Sequence, residues 1–164
     1  MIVIALGANL DSVVGSPVKT ISSALEALSK RSIRIVNVSP FYATPAWPDA
    51  SDPSFVNAIA RIETDFAPGH LMKLLHETET AFGRTRSVKN APRTLDLDLI
   101  DYDGRVEEGP PVLPHPRLSD RAFVLVPLAD VAPGWRHPTL NLTVEQLIAA
   151  LPLAARKEIK PASV

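Results

Sequence analysis

The clearest hydrophobic pattern in the sequence is a strict alternation in the middle of the chain, Thr-Leu-Asp-Leu-Asp-Leu. Such alternation is typical of a half-buried β-strand. Successive side chains of a strand point to opposite faces, so Leu95, Leu97 and Leu99 are predicted to enter a core. Asp96 and Asp98 then share the other face, with their Cα atoms about 6.5–7 Å apart.

The residues before this strand predict three further strands and two helices. Apolar residues at i, i+3, i+4 and i+7 indicate amphipathic helices, whereas a period of two or a short apolar run indicates strands. Pro17 and Pro68 fall at the first helical position, which proline favours, and Gly83 ends the second helix. In chain order we predict a strand at 2–6, a helix at 17–31, strands at 33–39 and 55–64, and a helix at 68–82, with a proline-containing loop at 40–54.

The order strand, helix, strand, strand, helix, strand predicts an α+β fold of the ferredoxin-like βαββαβ type. This fold is an antiparallel sheet with both helices on one face, and we expect the other face to be open. The open face should carry the polar or aromatic residues that alternate with core positions, namely Phe55, Asn57, Asp96 and Asp98.

The rest of the chain predicts a C-terminal helical extension that ends in a short helix at 144–151 and a frayed tail from residue 156. With 164 residues, 46% of them hydrophobic and 21% charged, we expect one folded domain spanning residues 1–164. His70, His76 and His137 have no chemical context in the sequence and are expected at the surface.

Composition excludes several classes of function. The chain has no cysteine, so it has no disulfide, thiolate metal site or cysteine nucleophile. Its net charge of −1 gives no electrostatic case for nucleic acid or an anionic membrane as a partner. No apolar run approaches the roughly 20 residues of a membrane helix, and the apolar N-terminus is too short for a signal peptide. We therefore expect a cytoplasmic protein.

The paired carboxylates Asp96 and Asp98 are the first candidates for chemistry. They repel each other unless a cation lies between them, and Mg²⁺ takes one or two carboxylates and completes its shell with water and phosphates. Arg84 and Arg93, with Arg86 and Lys89 between them, add cations just upstream. Together these residues suggest phosphate chemistry, although an Asp-x-Asp pair on a strand can also be a plain solvated face.

Aromatic and basic residues elsewhere complete the candidate chemistry. Trp47 lies in a rigid Thr-Pro-Ala-Trp segment. An exposed tryptophan in such a segment suits a flat ligand; the alternative is that the side chain packs over the sheet edge. Pro-His-Pro-Arg at 114–117 is followed by Arg121 and Phe123.

In this combination the chain resembles the 6-hydroxymethyl-7,8-dihydropterin pyrophosphokinases of folate biosynthesis. The likeness runs from the Leu-Gly-Ala-Asn-Leu segment at 6–10 to about residue 133, and its most specific marks are Pro-Arg-Thr-Leu-Asp-Leu-Asp at 92–98 and the Pro-His-Pro-Arg segment with Arg-Ala-Phe-Val-Leu after it. The resemblance implies transfer of diphosphate from ATP to the pterin hydroxymethyl oxygen, with release of AMP. It implies ATP and the pterin as small-molecule substrates, and we expect a monomer.

By this resemblance, Asp96 and Asp98 hold two Mg²⁺ ions, and Arg84 and Arg93 match the family's catalytic arginines. Metal ions can neutralise a polyphosphate, and planar guanidinium groups can follow its charge during transfer. Arg86 matches an arginine of a mobile loop. The implied ATP site is Glu79, Arg84, Arg86, Arg93, Leu99, His115, Arg117 and Arg121.

The resemblance also implies that Phe55 and Phe123 sandwich the pterin ring, since two apolar faces suit a flat heteroaromatic. Asn57 offers a donor and an acceptor for the pterin edge. The implied pterin site is Thr44, Pro45, Trp47, Phe55, Asn57 and Phe123. Structural alternatives stay open: the phenylalanines as core residues, His115 as a capping or core histidine, Arg86 in a surface salt bridge, and Glu79 flanking its helix.

This chain departs from the family pattern in three ways. Phe55 replaces a tyrosine, Asn90-Ala91 replaces Trp-Gly, and the span from Gly83 to Arg93 is one residue shorter. These departures bear on the contacts with adenine and on closure of the Arg84–Asn90 loop. Two other functions compete: a metal-dependent phosphodiesterase or nuclease, which needs a further acidic or histidine ligand, and an RNA-binding module, which needs stacking aromatics and a basic surface.

Overall fold

The computed structural model describes residues 1–46, 49–85 and 92–162. Its strands are β1 (Ile2–Ala8), β2 (Arg34–Val38), β3 (Tyr42–Thr44), β4 (Phe55–Glu63), β5 (Asp96–Tyr102) and β6 (Lys160–Pro161). Its helices are α1 (Pro17–Ser29), α2 (Pro68–Ala81), α3 (Ala122–Val131), α4 (Val144–Ala150) and α5 (Leu153–Lys157), with a short 3-10 helix at Leu118–Asp120.

The strands form one antiparallel sheet in the order β5-β1-β4-β3-β6, and β2 pairs with the other end of β4. β1 is therefore a central strand, and it is buried along nearly its whole length. The prediction of an antiparallel sheet with helices is confirmed.

A first core lies between the sheet and helices α1 and α2. The leucines of β5 enter this core, as the alternation predicted, and they pack with Ile4 and Leu6 of β1 and with Leu71 and Leu75 of α2. Pro17 and Pro68 begin the two helices, and Gly83 follows α2 with a φ of 85°.

A second core lies on the opposite face, where we expected the sheet to be open. α3 covers this part of the sheet and α4 packs on α3; the core that they share includes Val3, Ile59 and Ile100. Each of these three residues alternates with positions of the first core, so each would expose a large apolar side chain if the face were open. The expectation of an open face is wrong over this region, whereas the end of the sheet near Gly7 faces a cavity.

Three further expectations from the sequence are wrong. Segment 40–54 contains β3, and the tail contains α5 and β6, which pairs with β3 through Tyr42 and Ala43. Strands of two or three residues are too short to show a period, so long-range pairing decides them. His137 is buried against Trp135 rather than exposed.

In the described residues, no helix has both the length and the apolar character to cross a membrane.

Candidate active site

Asp96 and Asp98 lie at a cavity of about 410 Å³ at the uncovered end of the sheet. Strands β1, β4 and β5 form its floor. The chain around Arg117–Val124 and the end of α5 form its walls. Of the residues predicted for the site, those that line the cavity are Thr44, Pro45, Phe55, Asn57, Arg93, Asp96, Asp98, Arg117, Arg121 and Phe123.

Small residues of β1 leave room for this cavity. Gly7 pairs with Asn57 on one side and with Asp96 on the other, and Ala5 pairs with Asp98. A Cβ on Gly7 would lie 3.2 Å from Asn57 Oδ1. A larger side chain at this position would therefore enter the space between the two halves of the site. The sequence alone does not assign Gly7 or Ala5 to the site, because glycine after an apolar run also indicates a turn.

Asp96 is bridged by two arginines. Arg84 Nη1 donates to its Oδ1 at 2.6 Å, and Arg93 Nη1 donates to its Oδ2 at 2.6 Å. Both oxygens of this carboxylate thus have a cationic partner, and the two arginines are fixed by one side chain of β5.

Asp98 is less well compensated. Arg121 Nη1 lies 3.8 Å from its Oδ2. Burial, followed by the charge of Asp96, raises the pKa of the Asp98 carboxyl, against the opposing effects of His115, Arg121 and Arg93. One carboxylate of this pair therefore has too little positive charge near it to balance its own. Such a site favours binding of a cation.

Glu79 lies beneath Arg84. Its Oε1 accepts a hydrogen bond from the Leu97 amide at 2.7 Å and another from Arg84 Nη1. Burial raises the pKa of Glu79 to about 7, and the Leu97 amide and Arg84 oppose the shift. Glu79 is 1% exposed and does not line the cavity formed by the described residues. The structure therefore places it behind Arg84.

His115 is held at the end of β5. Its amide donates to Ile100 O at 2.9 Å, and its ring Nδ1 accepts from the Arg117 amide at 3.2 Å. Burial lowers the pKa of His115, while the charge of Asp98 opposes that shift. A neutral imidazole whose Nδ1 accepts carries its proton on Nε2, which is then a donor.

Two phenylalanines and an asparagine form the other half of the cavity. Phe55 and Asn57 come from β4 and Phe123 from α3. Asn57 Nδ2 donates to Thr44 Oγ1 at 2.9 Å, which fixes the amide and leaves its Oδ1 on the side of Gly7. Arg121 lies over the Phe123 ring, with 5.5 Å between its Cζ and the ring centroid.

Not every predicted residue reaches the cavity. Leu99 is 3% exposed and packs in the first core, on the face opposite the two aspartates. Trp47, Arg86 and the Asn90-Ala91 pair lie outside the described residues. Conversely, the cavity is also lined by Ala155, Glu158 and Ile159, which were not predicted for the site, and the last two fall in the predicted frayed tail.

The donor set suits Mg²⁺. The described part of the chain contains no group of three or more His, Cys, Asp or Glu side chains that could hold a metal. Two carboxylates are enough for Mg²⁺ when substrate phosphates and water supply the other oxygens.

Comparison with known proteins gives a consistent result. Residues 3–133 match the family model of 7,8-dihydro-6-hydroxymethylpterin-pyrophosphokinase (HPPK). The chain is 38% identical over 151 residues to 2-amino-4-hydroxy-6-hydroxymethyldihydropteridine pyrophosphokinase of Pseudomonas aeruginosa, covering 91% of this chain and 90% of that protein. It is 34% identical over 161 residues to the protein of the same name from Synechocystis sp., covering 97% and 80%.

A crystal structure of HPPK-DHPS in complex with substrates superposes with a TM-score of 0.64 at 12% identity. The superposition covers 91% of this chain and 42% of that one, and at this identity it shows the fold alone.

Proposed function

Since the chain belongs to the 7,8-dihydro-6-hydroxymethylpterin-pyrophosphokinase family, we propose which of its residues perform that reaction. The chain is an enzyme that transfers the pyrophosphoryl group of ATP to hydroxymethyldihydropterin in folate synthesis. The observation that carries the proposal is that two carboxylates, three arginines and two phenylalanines line one cavity.

Asp96 and Asp98 hold Mg²⁺ in this proposal, with two ions per site. Bound Mg²⁺ supplies charge neutralisation on the polyphosphate and orients its oxygens. The under-compensated Asp98 and its distance from Arg121 support this role.

The basic residues of the cavity bind and polarise the phosphates of ATP. Arg93 and Arg121 face the cavity beside the two aspartates, and their planar groups can follow negative charge as it moves from a bridging oxygen to a terminal one. Arg117 adds a third cation, and His115 donates from Nε2. Glu79 acts through Arg84 by holding its guanidinium against Asp96. Leu99 supports β5 from the core, and Arg86 stays a predicted ATP contact.

The pterin ring stacks between Phe55 and Phe123. Asn57 Oδ1 accepts from the N–H groups of the pterin edge, because Asn57 Nδ2 is already engaged with Thr44. Pro45 closes the same side, and Trp47 stays a predicted contact. The hydroxymethyl oxygen then faces the phosphate side, where it attacks the β-phosphorus of ATP while AMP leaves.

Further features belong to the same proposal. The order β5-β1-β4 with β2 on the far side of β4 supports a ferredoxin-like interpretation, with α3 to α5 as the C-terminal extension. Pairing of β6 with β3 supports residues 1–164 as one domain. We propose a cytoplasmic monomer whose partners are its small-molecule substrates.

Product analysis tests the proposal. The protein is mixed with ATP, Mg²⁺ and 6-hydroxymethyl-7,8-dihydropterin, and the nucleotides are separated. We expect AMP and pterin diphosphate in equal amounts, and no AMP without the pterin. Asp98→Ala and Arg93→Ala should each lower turnover by orders of magnitude while the fold is kept. ADP as the product, or nucleotide hydrolysis without pterin, would overturn the proposed chemistry, and near-normal turnover of the variants would overturn the residue roles.

A further inference from the structure

Asn9 holds the backbone of Arg93 from both sides. It lies in the loop after β1 and is only 3% exposed. Its Oδ1 accepts a hydrogen bond from the Arg93 amide at 2.7 Å. Its own amide donates to Arg93 O at 3.0 Å, and the Leu10 amide donates to the same oxygen at 3.2 Å. The backbone N–H and the backbone carbonyl of Arg93 are thus both hydrogen-bonded to the loop after β1.

The same side chain also reaches the segment before β4. Asn9 Nδ2 donates to Pro53 O at 3.0 Å. Pro53 lies two residues before Phe55, which lines the aromatic side of the cavity. Asn9 therefore contacts the chain that carries Arg93 and the chain that leads to Phe55.

We propose that Asn9 is a positioning residue that ties the phosphate side of the cavity to its pterin side. The inference rests on the roles proposed above for Arg93 and Phe55. Arg93 bonds to Asp96, which is only three residues further along the chain, so the place of the Arg93 backbone sets the region that its guanidinium can reach. A displacement of about 1 Å in a reacting group can cost on the order of 100-fold in rate.

The chemistry of the side chain fits this role. Asparagine both accepts and donates, so one amide can serve the Arg93 amide and the Pro53 carbonyl together. Aspartate keeps the acceptor but cannot donate to a carbonyl when ionised, and alanine removes both groups. The two contacts can therefore be separated by substitution.

A double-mutant cycle tests whether Asn9 acts through Arg93. We expect Asn9→Ala to lower kcat by about 10- to 100-fold. In an Arg93→Ala background the same substitution should lower kcat by less than about twofold, because the group that it positions is gone. Losses that multiply in the double variant would overturn the proposal.

The single variants separate this proposal from the proposed function. An impaired Arg93→Ala with a normal Asn9→Ala would reject the role of Asn9 and leave the function intact. A normal Arg93→Ala would reject the role of Arg93 itself, and the positioning role with it.

Asn9→Asp tests the contact with Pro53. We expect the KM for the pterin to rise several-fold more than the KM for ATP, because the acceptor for Arg93 is kept while the donor to Pro53 is lost. Equal changes in both KM values would overturn the assignment of two separate contacts.

Ser39→Ala is the matched control. Ser39 is also buried, and its hydroxyl accepts from the Ile59 amide at 3.0 Å and donates to Pro40 O at 2.8 Å, but it does not line the cavity. Thermal unfolding should show a comparable destabilisation of Ser39→Ala and Asn9→Ala, with kcat preserved only in Ser39→Ala. Equal losses of kcat would overturn the proposal. If Asn9→Ala fails to fold, Asn9→Ser replaces it, with the same expected loss of kcat and the same opposing outcome.

Discussion

Gly7 lies opposite Asn57 in the sheet, and a Cβ at Gly7 would stand 3.2 Å from the Asn57 Oδ1. The Asn57 side chain is held by its bond to Thr44, so it has little freedom to move aside. Gly7 thus leaves space for the Asn57 amide, which we propose as a pterin contact.

Gly7→Ala should therefore weaken pterin binding. A displaced amide hydrogen bond costs about 1 kcal/mol, which corresponds to a roughly fivefold rise in the KM for the pterin. The measurement is steady-state kinetics with each substrate varied in turn. Gly69→Ala is the control, because a Cβ there meets nothing within 4 Å. A pterin KM that is unchanged in Gly7→Ala would contradict this interpretation.

Asp98→Asn should separate stability from activity. The pKa of Asp98 is raised in the folded protein, so the stability linked to its neutral form is lost as the pH rises through that pKa. In Mg²⁺-free buffer at neutral pH, the variant removes a half-buried like charge beside Asp96 and should unfold at a higher temperature than the parent. Its turnover should fall by orders of magnitude. The exposed Asp11→Asn is the control, and a lower unfolding temperature for Asp98→Asn would count against a repulsive pair.

Glu79→Gln should reduce the pH dependence of stability. The pKa of Glu79 is raised to about 7, so the folded state holds a proton that the unfolded chain releases at lower pH. That contribution is present at acidic pH and is lost as the pH rises through about 7. The slope of the free energy of unfolding against pH, between about pH 5 and 7, reports the difference in bound protons between the two states. In the variant this difference should change by up to one proton. Denaturant titrations across this range measure it, and an unchanged slope would exclude Glu79 as the titrating group.

Glu79→Gln should also lower kcat, because Arg84 loses the charge that holds it against Asp96. Retained kcat together with the changed slope would mean that Arg84 is held well enough by Asp96 alone.

Ile159→Ala tests the wall that the C-terminal segment provides. Ile159 is half-buried, lines the cavity and packs on the second core. Its truncation should cost about 1 kcal/mol of stability and raise the substrate KM values by a few-fold. Leu153→Ala lies in the same segment and is 57% exposed, so it should leave both quantities unchanged. Equal substrate KM values in the two variants would show that the C-terminal wall has no role in binding.

The sequence pattern was most informative where one strand has two different faces. The alternation around Asp96 predicted both the leucine core and the carboxylate face, because the period of two follows directly from strand geometry. The same rule placed Phe55 and Asn57 on one face of β4. The functional roles of these residues stay predictions.

The pattern was least informative where one residue depends on a distant one. Val3, Ile59 and Ile100 alternate with core positions, and only the packing of α3 on them shows that they belong to a second core. Asn9 has no local pattern that marks it, and its proposed role depends on a hydrogen bond to Arg93, which is 84 residues away. Likewise, the position of Glu79 on α2 depends on a hydrogen bond from the Leu97 amide of β5. Contacts of this kind leave no local period in the sequence.

The position of β1 between β4 and β5 has a consequence for hydrogen exchange. Its amides lie in the centre of the sheet with a core on each side, so they exchange only when the whole fold opens. The wall at 155–159 is different, because it includes part of the five-residue helix α5, which has no buried residue, and it can open locally. Substrates should therefore slow exchange in this wall and leave the floor unchanged. Affinity in this cavity then depends on the order that ligands impose on the C-terminal wall, over a floor that is already formed.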